Sequence, residues 1–251
     1  MSRRLLSVAR IPRRYHHCTL NDFTTYDNDT LEEALDRSRK FADAFPVVSR
    51  GLFFLGDPGV GKTHLAVAIL KQAIQTRGAR GLFYDTRDLL KVIRSTYNPV
   101  VKTTELDVLR PVMEVDLLVL DDLGAEKTSE WVEETLNLIV NTRYNERRLT
   151  IFTSNYLDIP DDTDPNSLLF RIGFRMRSRL HEMADSLQLD GADYRELPTN
   201  GGVDDLVTLW KMRRKTLPSP RGGRQARAQL REPAVRDGKA DLKWPGGRAG
   251  T

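Results

Sequence analysis

A chain of 251 residues with 39% hydrophobic content is long enough for one large domain with tails or for two small ones, and no apolar run reaches the ~20 residues of a membrane span. Its single cysteine, Cys18, excludes an internal disulfide and any all-cysteine metal site, and the four histidines (His16, His17, His64, His181) share no ligand spacing. The net charge of +4 hides an asymmetry: residues 1–20 carry five arginines and no acid, residues 21–210 a net −10, and residues 211–251 a net +9. Basic ends on an acidic body suit contact with a polyanion, most simply nucleic acid; solubility tails are the other reading. The Arg-rich start also has the composition of a transit peptide, but no apolar core of signal-peptide length follows it, which argues against secretion.

In chain order, Thr30-Leu31-Glu32-Glu33 is a capping box that predicts a helix over 30–45, with Leu31, Ala34, Leu35, Phe41 and Phe45 on one face and Pro46 as its stop. Leu52-Phe53-Phe54-Leu55 reads as a buried strand, and Leu65-Ala66-Val67-Ala68-Ile69-Leu70 as a helix ended by Gly78. A second strand covers 81–85. A helix carrying Leu89, Leu90, Val92 and Ile93 follows, broken by Asn98-Pro99. A short helical segment over 105–113 leads to a third strand over 117–120. Ser129 caps a helix running to about residue 144, and 149–153 is a fourth strand. After an acidic, Pro-containing loop, a basic helix spans 168–183 and a short fifth strand 186–189. Gly201-Gly202 reads as a hinge before one amphipathic helix. From Pro218 onward no apolar period survives, so 218–251 is read as a disordered basic tail. Alternating strands and helices argue a parallel α/β sheet.

Between the first strand and its helix lies Gly56-Asp57-Pro58-Gly59-Val60-Gly61-Lys62-Thr63, which fits the phosphate-binding pattern G-x-x-x-x-G-K-[ST] at every fixed position and in the strand–loop–helix context the pattern needs. Its glycines let successive N–H groups face one phosphate chain, and the helix N-terminus adds the positive end of its dipole. Lys62 supplies a point charge for the outer phosphates of ATP, and the Thr63 hydroxyl a ligand for Mg²⁺. Downstream, the strand Leu117-Leu118-Val119-Leu120 ends in Asp121-Asp122. Asp121 is the candidate to hold Mg²⁺ through its water shell, and Asp122 to orient or deprotonate the attacking water. At the end of the next strand, Thr153-Ser154-Asn155 makes Asn155 a candidate to position that water; a turn asparagine is the plainer reading.

With these motifs in place, the chain resembles the AAA+ ATPases of the DnaC/IstB group, bacterial helicase loaders and transposition helpers. The likeness runs from about residue 11 to 196. It takes in Arg13-Arg14-Tyr15, Leu20-Asn21-Asp22-Phe23, the phosphate loop continuing into His64-Leu65-Ala66, Leu120-Asp121-Asp122-Leu123-Gly124-Ala125-Glu126-Lys127, Thr153-Ser154-Asn155-Tyr156, Ser178-Arg179-Leu180 and Asp193-Tyr194-Arg195. The resemblance implies a three-layer αβα P-loop fold over 21–200, between a basic arm (1–20) and a C-terminal helix (201–217). It also implies a cytoplasmic protein without membrane contact, and an ATP-dependent homo-oligomer with nucleotide held between subunits. Arg179 then matches an arginine finger reaching a neighbour's γ-phosphate, and Arg195 a second-sensor arginine. Arg171, Arg175 and Arg179 also fall at i, i+4 and i+8, a basic helix face that could grip nucleic acid instead. The group's single-stranded DNA element corresponds to 86–113, with Arg87, Lys91, Arg94, Tyr97 and Lys102, although an ordinary amphipathic surface helix reads the same way. The implied role is loading or remodelling a replicative helicase. A transposition helper acting with a transposase, and a nucleotide-gated DNA-binding module with negligible turnover, are the alternatives. Asp122 stands where AAA+ proteins often carry Glu. Loaders of the group also place a partner-binding region before the core, whereas this chain begins almost at the core, so either partner binding lies elsewhere or the start of the gene product is missing.

Overall fold

The computed structural model describes residues 2–126 and 129–216; the tail over 218–251 and Lys127 lie outside them. Met1–Lys215 forms one compact unit. Its elements are α1 (Ser2–Val8), α2 (Asp29–Ala44), β1 (Gly51–Gly56), α3 (Lys62–Arg77), β2 (Gly81–Asp85), α4 (Thr86–Ser95), α5 (Glu105–Glu114), β3 (Leu117–Asp121), α6 (Glu130–Asn145), β4 (Leu149–Ser154), α7 (Leu168–Met183), β5 (Ala184–Leu189) and α8 (Val203–Thr216).

The five strands form one sheet in the order β2-β3-β4-β1-β5, and every pairing is parallel. Parallel strands need helical crossovers, and these cover both faces of the sheet. The alternation of side chains along a strand then divides each one between two cores. Leu52 and Phe54 of β1 join Leu117 and Val119 of β3 on the side of α2 and α3. Phe53 and Leu55 join Leu118 and Leu120 on the side of α4, α5, α6 and α7. This explains why β1 and β3 read as unbroken apolar runs. The register pairs Leu55 with Ser154 and Leu120 with Phe152, so β1, β3 and β4 end along one edge. The three motifs therefore converge there. The expected α/β P-loop architecture with a central parallel sheet is what the chain adopts. No described helix is long and apolar enough to cross a membrane.

Two local expectations need correction. The helix predicted from Thr30 starts one residue earlier and is capped by Asn28, whose side-chain oxygen accepts from the backbone N–H of Thr30 and Leu31. The Asn28 amide also donates to the Asp190 carbonyl at 2.7 Å and Thr30 Oγ1 to the same carbonyl at 3.1 Å, so both side chains tie the start of the helix to the chain after β5. The basic helix over 168–183 is not continuous. Gly173 adopts φ 75°, ψ 160°, a conformation a side chain would resist, and it breaks α7 in two. Arg171 therefore lies on a different segment from Arg175 and Arg179, and the single basic face does not form.

Residues 2–20 pack onto the body. Ala9 is fully buried and its carbonyl accepts from the Phe83 N–H at 2.8 Å, while Cys18 and Leu20 are buried. This brings Arg14 and Tyr15 beside the sheet edge.

Candidate nucleotide-binding site

β1 delivers the chain into the phosphate loop at the middle of the sheet edge, and α3 starts at Lys62. Two glycines are required by close approaches as well as by positive φ. A Cβ on Gly59 (φ 82°) would lie 1.7 Å from Asp193 Oδ1, and one on Gly61 (φ 98°) 2.5 Å from the Phe23 ring. Lys62 is buried, and its Nζ donates to the carbonyls of Gly56 and Asp57, both at 2.7 Å. Burial pushes its pKa down to about 8, against the pull of Asp121 and Asp122. An ammonium held by its own loop, with acids opposite, is poised to receive anionic oxygens.

Asp121, at the end of β3, is 5% exposed. One of its oxygens, Oδ1, accepts from the hydroxyls of both Thr63 (2.9 Å) and Thr153 (2.7 Å). Burial raises its pKa to about 6, and the two hydroxyl donors oppose that rise. A hydroxyl and a carboxylate meeting at one point form a hard-oxygen donor set of the kind Mg²⁺ takes. Asp122 follows at φ 58°. Thr153 Oγ1 accepts its N–H at 2.9 Å. Its carboxylate receives Asn155 Nδ2 on Oδ1 at 2.6 Å and Arg87 on Oδ2 at 3.1 Å. Burial raises the Asp122 pKa, and Arg87 pulls it back.

These groups line a cleft of about 990 Å³. Pro58, Gly59, Val60, Gly61, Lys62, Thr63, His64, Asp121, Asp122, Asn155 and Arg195 all face it. Tyr15, Phe23 and Tyr26 form an aromatic wall from the segment before α2. His64 is anchored beneath that wall: its Nε2 lies 2.7 Å from the Thr19 carbonyl, and its ring meets Phe23 edge-on at 5.5 Å. Gly56 and Asp57 do not line the cleft. Their carbonyls hold Lys62, and the Asp57 carboxylate turns away to pair with Arg213 of α8. Arg179 also lies elsewhere. It lines a groove with Arg175, Glu130, Glu133 and Glu134, and its Nη1 donates to the Arg175 carbonyl at 3.3 Å.

Sequence reasoning passed over three of these contributors. Thr153 was legible as part of a polar strand end, but its double duty toward Asp121 and Asp122 depends on strand pairing. Arg87, two residues beyond β2, reads from the sequence as part of the single-stranded DNA element, with no sign of its contact to Asp122. Arg213 carries no local signal at all.

A family model described as IstB-like ATP binding protein matches residues 2–159. The chain belongs to that family. Among curated proteins, the replicative helicase loader DnaC of Buchnera aphidicola subsp. Acyrthosiphon pisum is 30% identical over 152 residues, which is 61% of each chain. The replicative helicase loader DnaC of Escherichia coli K12 is 31% identical over 157 residues, 61% of this chain and 63% of that one. The chain thus matches less than two thirds of the length of these relatives. A crystal structure of the DnaC helicase loader superposes with a TM-score of 0.62 at 35% identity, covering 71% of this chain and 100% of that one. A replication initiator DnaA structure bound to AMPPCP and single-stranded DNA shares the fold, with a TM-score of 0.58 at 22% identity over 72% of this chain and 51% of that one. The resemblance to the DnaC/IstB group of AAA+ ATPases therefore holds, and this family member is a nucleotide-binding α/β protein.

Proposed function

We propose that this chain hydrolyses ATP as an AAA+ protein of the helicase-loader type, binds single-stranded DNA, and works as an ATP-dependent homo-oligomer in the cytoplasm. The observation that carries the reading is the convergence of Lys62, Thr63, Asp121, Asp122 and Asn155 on one cleft. Lys62 receives the outer phosphates of ATP. Thr63 and Asp121 would hold Mg²⁺, which would supply charge neutralisation for phosphoryl transfer. Asp122 takes a proton from the attacking water, held in aim by Asn155, and its raised pKa brings it nearer working pH as a base. Arg195, which lines the same cleft, adds positive charge.

For DNA, the support is the surface of α4 and the segment after it. Tyr97 is half exposed, its hydroxyl accepts from Trp131 Nε1 at 3.1 Å, and Arg94 lies 4.5 Å over the Trp131 ring. Cations beside aromatic faces suit stacked bases and their phosphates. Lys91 and Arg87 are engaged by Asp88 and Asp122 in the free protein. The 30–31% identity to helicase loaders supports a replicative helicase as partner. The family match supports the second reading, a transposition helper with a transposase partner.

Turnover of ATP by the full chain, with and without single-stranded DNA, is the first test. Hydrolysis stimulated by DNA and lost in Lys62→Ala is expected. Turnover no greater than that of Lys62→Ala, with nucleotide still bound by the wild type, would leave a nucleotide-gated DNA-binding module. Capture of purified replicative helicase against purified transposase decides between the two partners.

A further inference from the structure

The proposed nucleotide site has a component from outside the family match, which ends at residue 159. α8 docks on the core through Leu206, which is 2% exposed, with Val207, Leu209 and Trp210 packed against the same core. From this seat Arg213 bridges two segments behind the cleft, the phosphate loop and the chain after β5. One guanidinium nitrogen pairs with the Asp57 carboxylate, and the other donates to the Gly191 carbonyl at 2.9 Å. Each contact leads inward. The Asp57 carbonyl accepts Lys62 Nζ at 2.7 Å. Two residues after Gly191, the Asp193 carboxylate presses against Gly59, and the Tyr194 N–H donates to the Gly59 carbonyl at 3.1 Å. Arg195, next in the chain, faces the cleft.

We infer that α8 is part of the nucleotide site and that Arg213 is a positioning residue, stapling the phosphate loop to the wall that carries Arg195. The inference rests on the nucleotide-binding reading of the loop. A planar guanidinium suits this work because its fork holds two acceptors in a fixed relative geometry, whereas an ammonium holds a point. Asp57, the second residue of the phosphate-loop pattern, thereby acquires a role its position in the motif does not predict. Its side chain fixes the back of the loop while its carbonyl fixes Lys62 at the front. Release of Arg213 frees both segments, and the ordering that the staple supplies in advance then falls to the ligand, which weakens binding.

ADP affinity of the full chain, measured by calorimetry, tests this with four variants. Arg213→Ala and Asp57→Ala are each expected to weaken ADP about fivefold or more, and the double variant no further than the weaker single, because both remove one staple. Arg213→Lys should recover part of the loss. Amide hydrogen exchange over residues 190–196 should rise in Arg213→Ala, a change that loss of surface charge alone does not produce. Affinities of both single variants within twofold of wild type, or additive losses in the double, would overturn the staple. Lys62→Ala is the control that separates the two ideas: ADP bound by Lys62→Ala as tightly as by wild type sinks the phosphate-loop reading itself, and the staple with it. Should Arg213→Ala fail to fold, Asp57→Ala, altering a half-exposed side chain, carries the same test.

Discussion

Asp122 shows how much chemistry one position concentrates. Its backbone is left-handed, a conformation Asp and Asn tolerate better than other side-chain-bearing residues. Thr153 holds its N–H, Asn155 and Arg87 hold its two carboxylate oxygens, and burial lifts its pKa. Asp122→Asn keeps the shape, the backbone preference and an oxygen for Asn155, but removes the proposed base. It should retain ATP affinity and lose turnover by about 100-fold or more, the scale of a positioned general base. A loss within about threefold, under ~1 kcal/mol of barrier, would mean that another group activates the water. At this scale Lys62, Thr63 and Asp121 were readable because their spacing and their strand-end setting are local. The roles of Thr153 and Arg87 were not, because each acts across strands that are distant in sequence.

Among the elements, α6 is held by an unusual contact. Arg143 is 1% exposed and donates to Thr150 Oγ1 and to the carbonyls of Val112, Met113, Val115 and Leu149. Burial lowers its pKa, and five oxygen acceptors offset the cost of keeping the charge inside. It thereby fastens α6 to the end of α5 and the start of β4, the strand that carries Thr153 and Asn155. Arg143→Met fills similar volume but leaves those acceptors without their donor. Chemical denaturation should show a loss of about 2–4 kcal/mol; a loss below about 1 kcal/mol would show that water or neighbouring donors replace it. Nothing in the local sequence separates Arg143 from the exposed Arg147 and the half-buried Arg148 nearby. The break in α7 was equally hidden: Gly173 sits in a run that otherwise reads as helix, and an isolated glycine is tolerated there until tertiary packing demands its φ.

At the scale of the whole molecule, the position of Arg179 separates two ideas. It does not face its own chain's cleft, and it shares a groove with three glutamates. An arginine that serves a neighbouring subunit's nucleotide has this property. If Arg179 acts in trans, Arg179→Ala should leave ATP binding and stability near wild type and reduce turnover by up to ~10³-fold. Mixing Arg179→Ala with Lys62→Ala subunits should restore part of the activity, because one interface then joins an intact loop to an intact finger. Normal basal turnover in Arg179→Ala, or no rescue in confirmed mixed assemblies, would leave a phosphate-gripping arginine as the better account. The broken α7 already removes Arg171 from that alternative, since the three arginines no longer share one face.

The sequence by itself determined the class of fold, the order of its strands along the chain, and which glycine loop and acidic strand end are the candidates for the site. These are carried by periodicity and short spacings, and both act within a few residues. Only the tertiary structure decided which of the candidates meet. The strand order β2-β3-β4-β1-β5 brings β3 and β4 beside β1, so Asp121, Asp122, Thr153 and Asn155 share an edge with Lys62. The aromatic wall before α2, the Arg87 contact, the separation of Arg179 from the cleft and the grip of Arg213 on Asp57 all join residues far apart in the chain. Such contacts depend on how helices seat on a finished sheet, and hydrophobic patterning selects the face a helix buries without naming the polar groups that its ends will meet.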